Sequence, residues 1–327
     1  MTAPGLKALR NARLAAGVFI LTVWLGGCAL LAPQATSLEE RWPGGLPERV
    51  ELSDVPFFPQ KDYQCGPAAL ATVLAYGGAG VTADDLVKEV YLPGREGSLQ
   101  IEMLAAARRH GLVSYELAPR FEDLLREVAA GNPVIVLQDY GVWPISIWHY
   151  AVVVGYDHPK SELTLRSGEK KRLVMPFDVF EYLWKDSAYW SMVAVPPQRM
   201  PVTATESRYL AAILALDHVG NAPATSAAYR AFLARWPGDL TAAIGLANSE
   251  YARKDLAGAE ATLREAAARH PDSVAVLNNL AQVLSDEGRN DEALALAERA
   301  LALGGPYAAE VRKTRDLIVQ RKGEASR

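Results

Sequence analysis

Cysteine is scarce in this 327-residue chain. Only Cys28 and Cys65 occur, so no framework of disulfides can staple a small, loop-rich fold. Long basic runs are missing too. The 34 Lys and Arg are offset by 38 Asp and Glu, a formal charge of −4, and no stretch concentrates enough positive charge to capture a nucleic-acid backbone. Nucleic acid is therefore not an expected partner. No cluster of His, Cys, Asp and Glu has metal-ligand spacing, no glycine-rich loop is built to cradle a phosphate, and no paired-carboxylate signature stands out. Neither a metal nor an organic cofactor is expected. The uncharged run Leu14–Gly27 is too short to cross a bilayer comfortably. Apolar residues, in contrast, are plentiful: half the chain is hydrophobic and 22% is charged, which excludes a disordered or collagenous chain. At this length two domains are expected rather than one small one.

The N-terminal segment carries Lys7, Arg10 and Arg13, no acidic residue, and then the apolar run (LAAGVFILTVWLGG). That order of charge and apolarity is that of a secretory signal. The run ends in Leu25-Gly26-Gly27-Cys28, which resembles the lipobox of bacterial lipoproteins. The resemblance implies removal of residues 1–27, lipidation of Cys28, and a soluble body tethered to a membrane by acyl chains. With Ala29 rather than aspartate next, it also implies an outer-membrane location facing the periplasm where the cell has two membranes. Cys65 would then be a lone thiol in an oxidising compartment, and such a residue calls for an explanation.

Residues 28–50 lack sustained periodicity and carry Pro and Gly, so they read as a tether. The next region, 51–200, is mixed. Helical spacing predicts helices over 65–76, 82–90 with a Thr82-x-x-Asp85 cap, 99–110 and 120–130. After these, β-branched and aromatic runs predict strands over 133–138, 148–156, 162–166 and 190–195, with a helical interlude near 177–184. Helices first and strands afterwards describe an α+β domain with an antiparallel sheet. From about Glu206 the chain becomes alanine-rich and helical. Pro237 and Pro271, 34 residues apart, each close an apolar helix, which points to repeats in frames 206–239, 240–273 and 274–307. The last two resemble tetratricopeptide repeats, with Leu246, Ala259, Leu263, Ala266 and then Leu280, Leu284, Ala293 and Ala300 at pattern positions. The first frame is degenerate. A terminal helix from Tyr307 to Arg321 would cap the array of 206–322.

The segment VPFFPQKDYQCGPAALATVL (55–74) puts Cys65 at the start of a helix, where unpaired N–H groups and the dipole favour a thiolate. Gly66 beside it leaves room for a substrate backbone, and Pro67 loses no hydrogen bond there. A base must accompany such a nucleophile. Of the five histidines, His110, His158, His218 and His270 fall at a helix end, in a turn or in the repeats, whereas His149 opens the strand WHYAVVVGY and can be held rigidly. Cys65 and His149 together form a thiolate–imidazolium arrangement. Trp143, Trp148, Tyr140 and Trp190 either line a peptide groove or belong to the core.

The block P-Q-x-x-x-x-C-G-P-A-A-L, the run P-V-I-V and H-Y-A-V-V-V-G-Y-D resemble a papain-like cysteine peptidase of the bacteriocin-leader-processing, double-glycine peptidase type. The resemblance implies Cys65 as nucleophile, His149 as base, and an upstream glutamine amide for the oxyanion. Gln60 is the better match, with Gln64, adjacent to the nucleophile, as the alternative. These peptidases normally orient the histidine with Asp or Asn. Here Asp157 lies eight residues along the same strand, about 26 Å away at roughly 3.3 Å per residue. In a hairpin, position 149 falls opposite about 167–169, which offers Ser167 or, as a charged alternative, Glu169. The expected function is a membrane-anchored cysteine peptidase whose repeats recruit a protein or peptide. The rival is a catalytically impaired peptidase-fold scaffold, because the usual acid is missing.

Overall fold

The structure, a computed structural model, describes residues 31–60 and 64–325. The expected export signal and Cys28 lie outside the described residues. The chain separates into two compact units. One holds the chain up to Ala106 with Glu116–Val193, and the other holds Ala107–Tyr115 with the chain from Ala194 on.

The first unit begins with helix α1 (Pro33–Glu40) and strand β1 (Arg49–Glu51), so most of the stretch expected to be a tether is built into the body. Its sequence has little amphipathic pattern. The helix is held from outside: Ala35 and Leu38 are buried, and the Glu181 carboxylate accepts the backbone N–H groups of Gln34 and Ala35 at 3.1 and 2.6 Å. Those donors have no intrahelical partner, and an anion at a helix start is favoured by the dipole.

Helices α2 (Cys65–Tyr76), α3 (Ala83–Val90) and α4 (Gln100–Arg109) follow within a residue or two of the expected bounds. The Thr82 hydroxyl and the Asp85 carboxylate form the expected reciprocal cap on α3. Strand β2 (Val113–Glu116) comes before α5 (Phe121–Ala129). The sheet then runs through β3 (Val134–Asp139), β4 (Trp148–Asp157), β5 (Glu162–Ser167) and β6 (Lys170–Pro176), with α6 (Phe177–Trp184) before β7 (Ser191–Val195). In space the order is β7-β3-β4-β5-β6, all antiparallel, and β1 pairs with the far end of β4. Strand β6 is not apparent from the sequence because it starts Lys170-Lys171-Arg172; it is an outer strand with mostly exposed residues, where charge blunts the edge.

Helix α2 is the buried rod of this unit. Gly66 to Leu74 are all buried, and the helix lies against α3, β3, β4 and β5. Phe121 of α5 packs edge-on or tilted against Phe177, Phe180 and Trp184, with ring centroids 5.2–5.9 Å apart.

The second unit is helical: α7 (Glu206–Asp217), α8 (Ala222–Arg235), α9 (Leu240–Ala252), α10 (Leu256–Arg269), α11 (Val274–Asp286), α12 (Asn290–Leu303) and α13 (Ala308–Ala325). Leu246, Ala259, Leu263, Ala266, Leu280, Leu284, Ala293 and Ala300 are all buried, because these positions face the neighbouring helix in each pair. Gly245 lets α9 approach α8 closely: a Cβ there would stand 2.4 Å from the Tyr229 ring. Residues 107–115 group here through Tyr115, which donates to the Thr203 carbonyl at 3.2 Å and meets the Tyr209 ring edge-on.

Candidate active site

The N-terminus of α2 and the start of β4 border one open cavity of about 1010 Å³. Its wall includes Gln60, Cys65, Ser98, His149, Gly168 and Glu169. Two segments distant in sequence, 60–65 and the start of β4, thus place a thiol, a primary amide and an imidazole on one surface. Pro67, in the first turn of α2, removes only an N–H that would lack an intrahelical acceptor.

Gly66 has a different role from the one expected. A Cβ at position 66 would stand 2.3 Å from Ser98 Oγ and 2.6 Å from Ser98 Cβ, so the space beside the thiol holds Ser98 rather than a substrate backbone. The Ser98 hydroxyl is buried without a hydrogen-bond partner, and its carbonyl accepts from Tyr150 Oη at 3.1 Å.

Burial pushes the Cys65 thiol up. The backbone N–H groups of Tyr150, Gly66 and Cys65 itself pull the other way without overcoming it. Burial also pulls His149 below the usual histidine range. Both shifts run against the ion pair that the helix start alone suggests, because burial disfavours the charged form of each group. Desolvation, which the sequence does not display, outweighs the helix end.

His149 Nε2 stands 2.9 Å from Ser167 Oγ. The sheet register explains the meeting. Val152 pairs with Arg166, so Ser167 lies diagonally across from His149 on the same face of the sheet. Ser167 also hydrogen-bonds Tyr140, and Tyr140 Oη donates to Gln138 Oε1 at 3.4 Å. One direction satisfies the whole row: Nε2–H donates to Ser167, Ser167 to Tyr140, and Tyr140 to Gln138. That polarity leaves Nδ1 as the imidazole's acceptor nitrogen. The Tyr140 ring stands edge-on to His149, with centroids 5.4 Å apart. Nothing in the sequence singled out Gln138 or Ser98, and it offered Tyr140 only as a groove or core aromatic. Only the pairing of Gln138 with His149 across β3 and β4 brings the first into range.

Gln60 is held at both ends: its backbone N–H donates to the Gly168 carbonyl at 3.1 Å, and Nε2 donates to the Tyr150 carbonyl at 3.2 Å. The β5–β6 turn, with Gly168 at a φ of +57°, therefore positions Gln60 next to Ser167. Gln64 forms the N-cap of α2 and is not among the residues lining the cavity. Glu169 lines the cavity, while His149 meets Ser167. Asp157 sits at the other end of β4, bound to Arg49 at 3.1 Å and Lys160 at 3.6 Å. Trp190 is buried, whereas Tyr140, Trp143 and Trp148 are exposed. His158 stacks on Trp42, and His270 Nε2 meets the Gly238 carbonyl. Among the described residues no group of three His, Cys, Asp or Glu could hold a metal ion, and no helix is long and apolar enough to cross a membrane.

Residues 52–187 match the model of the peptidase C39 like family, and residues 209–274 and 244–308 match tetratricopeptide repeats. Among solved structures the chain is similar to a protein described as a C39-like peptidase from Bacillus anthracis. Identity is 20% over 46% of this chain and 98% of that one, with a TM-score of 0.39. It is also similar to the peptidase domain of Streptococcus ComA, described as a bi-functional ABC transporter involved in a quorum sensing pathway. There identity is 19% over 43% of this chain and 98% of that one, with a TM-score of 0.36. No curated protein matches.

Proposed function

Starting from a chain that carries a peptidase C39-like domain followed by tetratricopeptide repeats, we propose that it is a cysteine peptidase with Cys65 as nucleophile. The observation that carries this reading is that Cys65, His149 and Gln60 line one cavity. In the proposed reaction Cys65 Sγ attacks the scissile carbonyl carbon while its proton passes to Nδ1 of His149. The carbonyl π electrons move to oxygen, where the second N–H of the Gln60 amide and the Cys65 backbone N–H receive the charge. His149 then returns the proton to the departing amine, leaving a thioester. Water, deprotonated by the same imidazole, attacks the thioester and releases the acid and the thiol. Ser167 holds the imidazole in the tautomer this sequence needs.

The proposal extends to both ends of the chain. Lipidated Cys28 anchors the protein to the outer membrane on its periplasmic side, and the repeats present a surface that recruits a protein or peptide. A second reading, a binding scaffold of impaired activity, is favoured by one observation: the group on His149 is the Ser167 hydroxyl and not a carboxylate.

A peptide-based, thiol-directed acylating probe separates the two. The peptidase reading expects Cys65 to be labelled in the full chain and labelling to be lost in His149→Ala. Equal labelling with and without His149 means a merely accessible thiol and overturns the peptidase reading. Intact-mass analysis of the mature N-terminus tests the anchor, and an unmodified Cys28 overturns it.

A further inference from the structure

The connection between β3 and β4, Tyr140 to Trp148 (YGVWPISIW), contains no charged residue. It shows water Val142 at 82% exposure, Trp143 at 93% and Ile145 at 68%. Neighbouring apolar side chains left in water mark a site of interaction when the backbone holds them there. Here they are held. Asp139 Oδ1 accepts the backbone N–H groups of Gly141 at 2.8 Å and Ile147 at 2.7 Å. Tyr140 N–H donates to the Ile147 carbonyl, and Ile145 N–H donates to the Val142 carbonyl. Gly141 lies so close to the returning strand that a Cβ there would stand 2.0 Å from the Ile145 carbonyl oxygen. The loop is a braced hairpin with a convex apolar end.

Its two halves differ. Ser146, Ile147 and Trp148 line the cavity of Cys65 and His149, whereas Val142, Trp143 and Ile145 do not. Whatever covers the tip lies outside the space a bound peptide would fill. The start of α1 lies at the same end of the sheet. Gln34 Nε2 donates to the Pro119 carbonyl, the Leu117 N–H donates to Ser191, and Ser191 pairs with Val136, three residues before the brace at Asp139. Gln34 stands six positions after Cys28, a reach of at most about 20 Å. A convex, uncharged tip bearing tryptophan, beside the place where acyl chains would be attached, fits the interfacial zone of a bilayer, where amphipathic aromatic rings settle.

We infer that the Tyr140–Trp148 hairpin inserts its tip, Val142, Trp143 and Ile145, into the surface of a lipid bilayer. The inference rests on the anchored-protein reading above. Insertion turns the Cys65–His149 cavity toward the membrane surface, so substrates are chain segments presented at the bilayer rather than free in solution. Because the tip is uncharged, its insertion does not depend on salt.

The test uses the full chain, processed in a bacterial host and reconstituted into phosphatidylcholine vesicles with plain or brominated acyl chains. Bromine quenches only tryptophan that reaches the lipid. The expected result is quenching of the wild-type emission at low and high salt alike, with the quenched fraction at least halved in Trp143→Phe. An unchanged quenched fraction in Trp143→Phe overturns the inference. So does a Trp143→Phe chain that is not quenched differently but shows a raised KM for a short soluble peptide without vesicles, since the tip would then receive substrate. Intact mass is read on the same sample. An unmodified Cys28 with Trp143-dependent quenching refutes the anchor and leaves the hairpin inserted, so the two failures are distinct.

Discussion

At Ser167 one hydroxyl stands where a carboxylate would hold an imidazolium. Since the Nε2–Oγ contact of 2.9 Å fixes ring orientation, Ser167→Ala should lower kcat/KM by about tenfold or less, one neutral hydrogen bond contributing about 0.5–1.5 kcal/mol. Ser167→Asp tests sign as well as size. The His149 pKa is pulled down by burial, and the base must be neutral to accept the thiol proton. The acid limb of kcat/KM should therefore rise with pH at a point below the ordinary histidine value of about 6.5. A carboxylate at 167 favours the imidazolium and should move that limb to higher pH. A pH–rate profile measures both, and an unmoved limb in Ser167→Asp would show that position 167 does not act on the imidazole. Cys65, His149 and Ser167 were legible as candidates because residue type, a helix start and a strand register of period two are written in the sequence. The desolvation of the thiol and the row through Tyr140 and Gln138 were not, since they depend on which distant segments close around the site.

Among the elements, α2 and β4 announce themselves through composition, while α1 and β6 do not. Helix α1 is held by Glu181, 146 residues away from Ala35, and such a partner leaves no local trace. Glu181→Ala should free the first turn of α1 and expose Leu38. Amide exchange over residues 33–40 should quicken, and the sheet unit should lose about 1.5–3 kcal/mol, the range for hydrogen bonds to a charged group. Protection of 33–40 equal to that of the parent would mean the helix holds by apolar packing alone. The junction of α2 with the loop at Ser98 offers a second test. Gly66→Ala puts a methyl 2.3 Å from Ser98 Oγ, and overpacking of that kind costs about 1–3 kcal/mol. The double change Gly66→Ala with Ser98→Gly removes both close atoms and should recover most of the lost thermal stability. If it recovers none, the strain lies elsewhere in the helix start.

At the scale of the whole molecule, the chain joins two kinds of cooperativity. In the sheet unit the site draws on residues from 60 to 169, so a local fault is felt broadly. In a helical array each pair contacts mainly its neighbours, and a fault at one end stays near that end. The 34-residue spacing made the array legible even though its first frame is degenerate, because stacking requires small or apolar residues at the same few positions in each pair. Ile318 of α13 is fully buried against the cluster that includes Leu280, Leu284, Ala293 and Ala297. Ile318→Ala should cost about 2–5 kcal/mol there. By nearest-neighbour logic, the loss of amide protection should be confined to α11, α12 and α13, while α2 and β4 keep theirs and the peptide probe labels Cys65 at the parent's rate. If protection falls in α2 as well, the repeats and the sheet unit unfold together, and the recruitment proposed for the repeats would then be coupled to the chemistry proposed at Cys65.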